Sequence, residues 1–209
     1  MVPTTCGKEG PTKWEDALSP TLLGGTIMTS ELSKSKLSVK TQTIGGILAI
    51  IAAVALPQVL HLIGKVSGMG TSLGETFLPM HLPVILAGLL IGPYAAGIAG
   101  LLAPALSYLM TGMPSAIMLP FMMIELCVYG ISSGLLRNVK MPSVLKVFIS
   151  QIVGRLVRAG AILIGFHAFH SLVKPVIIYK SVLTGLFGII LQLVLIPLIV
   201  FRLKEADHE

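Results

Sequence analysis

The chain has 209 residues, 54% of them hydrophobic and only 11% charged, with a mean hydropathy of +0.91. That balance excludes an ordinary soluble domain and indicates an all-α integral membrane protein. The formal net charge of +6 does not make it a nucleic-acid binder, because its lysines and arginines sit in short segments between apolar runs and not in a basic stripe with interleaved aromatics.

Residues 1–40 are polar and rich in Ser, Thr, Gly and Pro, with no apolar stretch behind a basic start, so they read as a disordered cytoplasmic tail and not as a signal peptide. Within them, Leu23-Gly24-Gly25 can be encoded by a purine-rich AGGAGG just ahead of Met28. The expectation is a natural start at Met28, with residues 1–27 a translated leader.

A bilayer core of about 30 Å needs roughly 20 apolar residues per helix. Spans are predicted near 42–63, 78–91, 94–111, 115–136, 144–168 and 177–202, six transmembrane helices in a membrane domain over 41–203, followed by a short cytoplasmic tail over 204–209. Gly92-Pro93 predicts a tight reversal between the second and third, since proline suits a helix start and the residue before it avoids helical torsions. Lys34, Lys36, Lys40, Arg137, Lys140, Lys146, Arg202 and Lys204 flank one side and only Lys65, Lys174 and Lys180 the other. By the positive-inside bias both termini are expected in the cytoplasm.

The first span carries Ala49 and Ala53 as a small-xxx-small pair, which lets another helix approach closely, whether inside the bundle or from a partner. The connection over 64–79 is glycine-rich and long for this chain, the kind of segment that closes over a site as a lid. His81, boxed by Pro79 and Pro83, is either an interfacial cap or a ligand contact. In the fourth span Glu125 is the lone acid within any span, with Met118, Met122 and Tyr129 on its face. Cys127 is a small packing residue; with Cys6 in the polar tail, no disulfide framework is expected.

The fifth span raises the sharpest question. Arg155 and Arg158 share a face with Gln151 and Ile162 in an otherwise apolar run. A guanidinium at membrane depth costs from about 2.5 to more than 10 kcal/mol and needs a partner, a wet cavity or a ligand. Counting at 1.5 Å per residue sets Glu125 about 15 Å from the outer end of its helix and Arg155 about 16 Å from the inner end of the next. Those depths predict a Glu125–Arg155 ion pair and leave Arg158 over, either facing water or awaiting an anionic group such as a carboxylate. Gln192 in the sixth span is expected to hydrogen-bond across helices or to touch a ligand. His167 and His170 have helical metal-ligand spacing but no acid nearby, so no metal site is expected. No nucleophile elbow, HExxH helix, Walker loop or acidic metal cluster occurs in the sequence, so neither an enzyme nor a bound cofactor is expected.

The short basic segment before the first span, six helices in a compact length, Ala49 and Ala53, the glycine-rich first outer loop and the run LPMHLPVILAGLLIGPYAAGIAGLLAPALSYLMTGMP together resemble the substrate-binding S component of energy-coupling-factor vitamin transporters. The most specific part is Pro83, Leu86, Ala87, Gly88, Gly92, Pro93 and Gly97, and the likeness runs over about 36–203. The resemblance implies a cell-membrane protein that captures a vitamin from outside and associates with a transmembrane coupling subunit and two cytoplasmic ATPases, with Ala49 and Ala53 matching the family's contact motif for the coupling subunit. Ligand residues differ between members, so Arg158, Arg155, Glu125, Gln151, His81, Tyr129 and Gln192 are site candidates on position and charge. The runs LPMHLPVILAG and TGMPSAIMLPFMMIE look most like the pantothenate subgroup, and pantothenate's one carboxylate suits one unpaired arginine. Hydroxymethylpyrimidine, pyridoxine and cobalamin remain alternatives. Outside this class, a self-contained secondary transporter would show internal repeats, and no convincing repeat relates 41–111 to 115–202. A structural subunit would bind no small molecule.

Overall fold

A computed structural model of the chain describes residues 38–68, 76–168 and 172–206, the side chains of the last three excepted. Residues 1–37 with the candidate start at Met28, residues 69–75 of the glycine-rich loop, and His170 lie outside the described residues.

Among the described residues seven helices form, in order α1 Val39–Val66, α2 His81–Leu90, α3 Pro93–Thr111, α4 Leu119–Leu136, α5 Ser143–Ala168, α6 Val176–Thr184 and α7 Leu186–Ala206. Five of them, α1, α3, α4, α5 and α7, are long and apolar enough to cross a membrane. Two expectations change. The second predicted span is a ten-residue helix, about 15 Å long and short of a bilayer core. It is tolerated because α2 is central: Val84, Ile85 and Leu89 pack in the main core with Leu126, Tyr129, Val147 and Ile196, so protein and not lipid surrounds it. The sixth predicted span is interrupted at Gly185. There the segment before α2 presses on the helix, since a Cβ at Gly185 would meet Leu78 and one at Gly188 would meet the Phe77 carbonyl.

The reversal between α2 and α3 forms where Gly92-Pro93 predicts it. Gly92 has φ 134°, a conformation that excludes most side chains, and Pro93 opens α3. Arg137, at the end of α4, donates from Nη1 to the Ile91 carbonyl at 2.9 Å, and Lys146 Nζ donates to the Arg137 carbonyl at 2.8 Å, tying the α2–α3 turn to the α4–α5 connection.

The surface is apolar and much of the interior polar. Ile44, Leu48, Ile51, Leu109, Leu156, Ile164 and Val194 are exposed, while Glu125, Ser133, Ser150, Gln151, Arg158 and Gln192 are buried. That inversion suits hydrocarbon as solvent, where apolar side chains lose nothing by facing outward and polar ones must find partners within the bundle. Small residues let the helices close: a Cβ on Gly130 would collide with the backbone of Ala96, and one on Gly100 with the backbone of Leu126, so α3 and α4 meet backbone to backbone. Ala49 and Ala53 serve the same purpose here, buried within the bundle, Ala49 in one cluster with Ala87, Ala96 and Ala99 and Ala53 in the main core beside Val84.

Candidate functional site

Glu125 is fully buried on α4, and four groups surround it. Tyr129, one turn along the same helix, donates its hydroxyl to Oε1 at 2.9 Å. Arg158 of α5 donates from Nη1 to Oε2 at 2.8 Å, a charge-assisted contact. His81, at the start of α2, brings Nε2 to 3.7 Å from the same Oε2, too far for a hydrogen bond, with its ring edge against Tyr129 at 5.2 Å between centroids. Arg155 is the fourth, in the wall of a cavity that Glu125 also lines.

The partner of Glu125 is thus Arg158, and the expected pair with Arg155 is corrected. Helix α4 begins at Leu119 and not near 115, which moves Glu125 about 6 Å toward the end at which α1 finishes, opposite the arginine one turn further along α5. The face that α5 buries runs through Gln151, Gly154, Arg158 and Ile162, and Arg155 stands at its flank, half-buried. Gly154 is where Tyr129 fits, because a Cβ there would strike the phenol ring. The uncompensated cation is therefore Arg155: it makes no ion pair with a described acid, and its Nε has no hydrogen-bond partner among the described residues.

Gln151 and Gln192 form a second network, seven residues or about 10 Å along α5 from Arg158. Gln151 Nε2 donates to Gln192 Oε1 at 3.0 Å, and Gln192 Nε2 donates to the Leu78 carbonyl at 3.1 Å. Leu78 has φ 49°, unusual for a branched side chain, and the bond from Gln192 helps to hold it there. Cross-helix bonding, one of the two roles expected of Gln192, is thus realised, and it also anchors the end of the glycine-rich loop nearer α2.

Two cavities flank Arg158. The larger, about 400 Å³, lies where the later turns of α1 and α3, the first turn of α4, and α6 meet the segments before α2 and α4. Arg158, Lys180, His61 and His81 line it, with Ser107, Ser115, Ser181 and Thr184 as further polar groups and Met118 and Met122 as apolar wall. None of its described lining residues is acidic. The smaller, about 250 Å³, lies between α4, α5 and α6 and is lined by Glu125, Arg155, Arg158 and Ser181 among apolar side chains. Arg158 and Ser181 belong to both.

A family model for the ECF transporter, substrate-specific component, matches residues 38–200. The chain belongs to that family. No curated protein and no solved structure gives a match. The matched region takes in all of α1 to α6 and most of α7, so both cavities and the Glu125 cluster lie within the substrate-specific component proper. It is a multi-pass membrane subunit of a substrate transporter family, not of an enzyme family, and its association with an ECF module follows from that membership.

Sequence reasoning missed His61 and Lys180 as cavity residues. The signal was present in both: an imidazole in the last turns of the first apolar run, and a lysine inside the sixth. Lys180 reads as a flanking charge only while that span is taken as one straight helix; the break at Gly185 sets α6 apart and puts Lys180 beside the cavity.

Proposed function

We propose that this S component captures a small monoanionic vitamin, pantothenate, from outside the cell membrane in the larger cavity, and delivers it by associating with a coupling subunit and two ATPases. The observation that carries the reading is a cavity with a buried arginine in its wall and no acid among its described lining residues. Its volume falls in the range of small-molecule sites and is small for a cobalamin. Arg158, Lys180, His61 and His81 supply donors for a carboxylate and hydroxyls, and Met118 and Met122 supply apolar contact.

Charge supports a single carboxylate. Glu125, Arg155 and Arg158 sum to one positive charge when the histidines are neutral, and a bound monoanion cancels it. Neutral hydroxymethylpyrimidine or pyridoxine leaves that cation unanswered at membrane depth. With both termini in the cytoplasm, the cavity opens at the outer face, as a capture subunit requires.

Calorimetric titration of pantothenate into the detergent-purified protein tests this, with pyridoxine as control. The expected outcome is binding of pantothenate alone, weakened at least tenfold, about 1.4 kcal/mol, by Arg158→Ala. Arg158→Lys keeps a counter-charge for Glu125 and separates ligand contact from folding. A folded wild-type protein that does not bind pantothenate ends the substrate assignment. Binding indifferent to both substitutions returns Arg158 to a structural role.

A further inference from the structure

Arg158 faces two demands. Its Nη1 holds Glu125 at 2.8 Å, and the same side chain lines the cavity in which an anion would sit. Turning the guanidinium toward a ligand weakens its hold on Glu125, a carboxylate with no exposure at all, and a buried charge that loses its partner is strongly disfavoured. A second cation must then answer Glu125. His81, 3.7 Å from Oε2, is near but carries charge only when protonated. Arg155 is permanently charged, stands one turn from Arg158, lines the same smaller cavity as Glu125, and has an unpartnered Nε. The cavity gives its side chain room to move.

We infer that Arg155 is a positioning residue that takes over Glu125 when Arg158 engages an anionic ligand. Arg155 does not touch the ligand in this arrangement; it makes Arg158 available by keeping Glu125 compensated. The inference rests on the proposed capture of a monoanion and explains why two arginines lie on one membrane helix opposite one acid.

The test combines pantothenate titration with thermal melting, with and without ligand, for the wild type, Arg155→Gln, Arg155→Lys, Glu125→Gln and the double variant Glu125→Gln/Arg155→Gln. Ligand-free Arg155→Gln should melt close to the wild type, because among the described residues Arg155 makes no ion pair or hydrogen bond to lose, only a longer-range attraction to Glu125. Its affinity should fall about tenfold and its ligand-induced rise in melting temperature should shrink, with most of both restored in Arg155→Lys. In the Glu125→Gln background, adding Arg155→Gln should change affinity less than about twofold, since no carboxylate remains to be held. An equal loss in both backgrounds would show that Arg155 contacts ligand directly and overturn the inference. So would a ligand-free destabilisation by Arg155→Gln, or unchanged affinity in that variant, and these two readouts decide even if Glu125→Gln does not fold. Failure of the folded wild type to bind pantothenate removes the substrate reading and this inference together, whereas wild-type binding with an indifferent Arg155 removes this inference alone.

Discussion

Helix α4 has two faces built on opposite rules. Toward α3 it presents Gly130 and Gly134, which allow backbone to lie against backbone with no room for a Cβ. Toward α5 it presents Glu125 and Tyr129, and there the packing opens into cavities. The first face is rigid because close contact between small residues is what holds helices together in lipid. The second holds charges that need partners, and the space around them is what the proposed exchange of partners requires. One helix thus joins a close-packed scaffold to the candidate site.

The comparison breaks most visibly on the scaffold side. Gly130→Leu should abolish folding or destabilise by more than about 3 kcal/mol, because the collision is with Ala96 backbone and not with a flexible side chain; the readout is loss of a monodisperse peak or a steep fall in melting temperature. On the site side, Glu125→Gln should cost about 3–5 kcal/mol by leaving Arg158 without its counter-charge. Removing both charges in Glu125→Gln/Arg158→Met should recover most of that stability while abolishing ligand binding. If Glu125→Gln melts like the wild type, the ion pair does not hold α4 to α5. Gln192→Ala should have a smaller effect, about 1–3 kcal/mol, by leaving Gln151 and the Leu78 carbonyl unpaired; hydrogen exchange should then quicken in the segment before α2 ahead of any change in α3 or α4. Least of all, Lys180→Gln should leave stability unchanged and slow association of an anionic ligand a few-fold, with a weaker dependence on salt, as expected of an exposed charge at a site's rim. A change in the dissociation rate instead would make Lys180 a direct anchor.

The sequence-level expectations held where they rested on local chemistry. Apolar runs marked the helices, and Gly92-Pro93 marked the reversal between α2 and α3 because its torsional limits need no tertiary context. The polar stripe on α5 and the lone acid on α4 marked where the buried charges meet, since charges are too costly in hydrocarbon to lie there unpartnered. Length misled twice. Apolar residues surrounded by protein look the same in sequence as those facing lipid, so α2 read as a longer helix than the ten residues that its neighbours bury. The break between α6 and α7 depends on Phe77 and Leu78 pressing into Gly185 and Gly188, a contact between segments about a hundred residues apart in the chain.

By itself, then, the sequence determined the solvent this protein lives in, most of its helices and the set of side chains that carry its charge, because hydropathy, proline and glycine act over a few residues. Only the tertiary structure decided which arginine meets Glu125, since a four-residue change in where α4 starts moves the acid about 6 Å, more than the 4.5 Å that separates Arg155 from Arg158 along α5. It also decided that His61 and Lys180 share a cavity with Arg158, because a cavity is the space several helix ends leave between them and has no signature along any one of them.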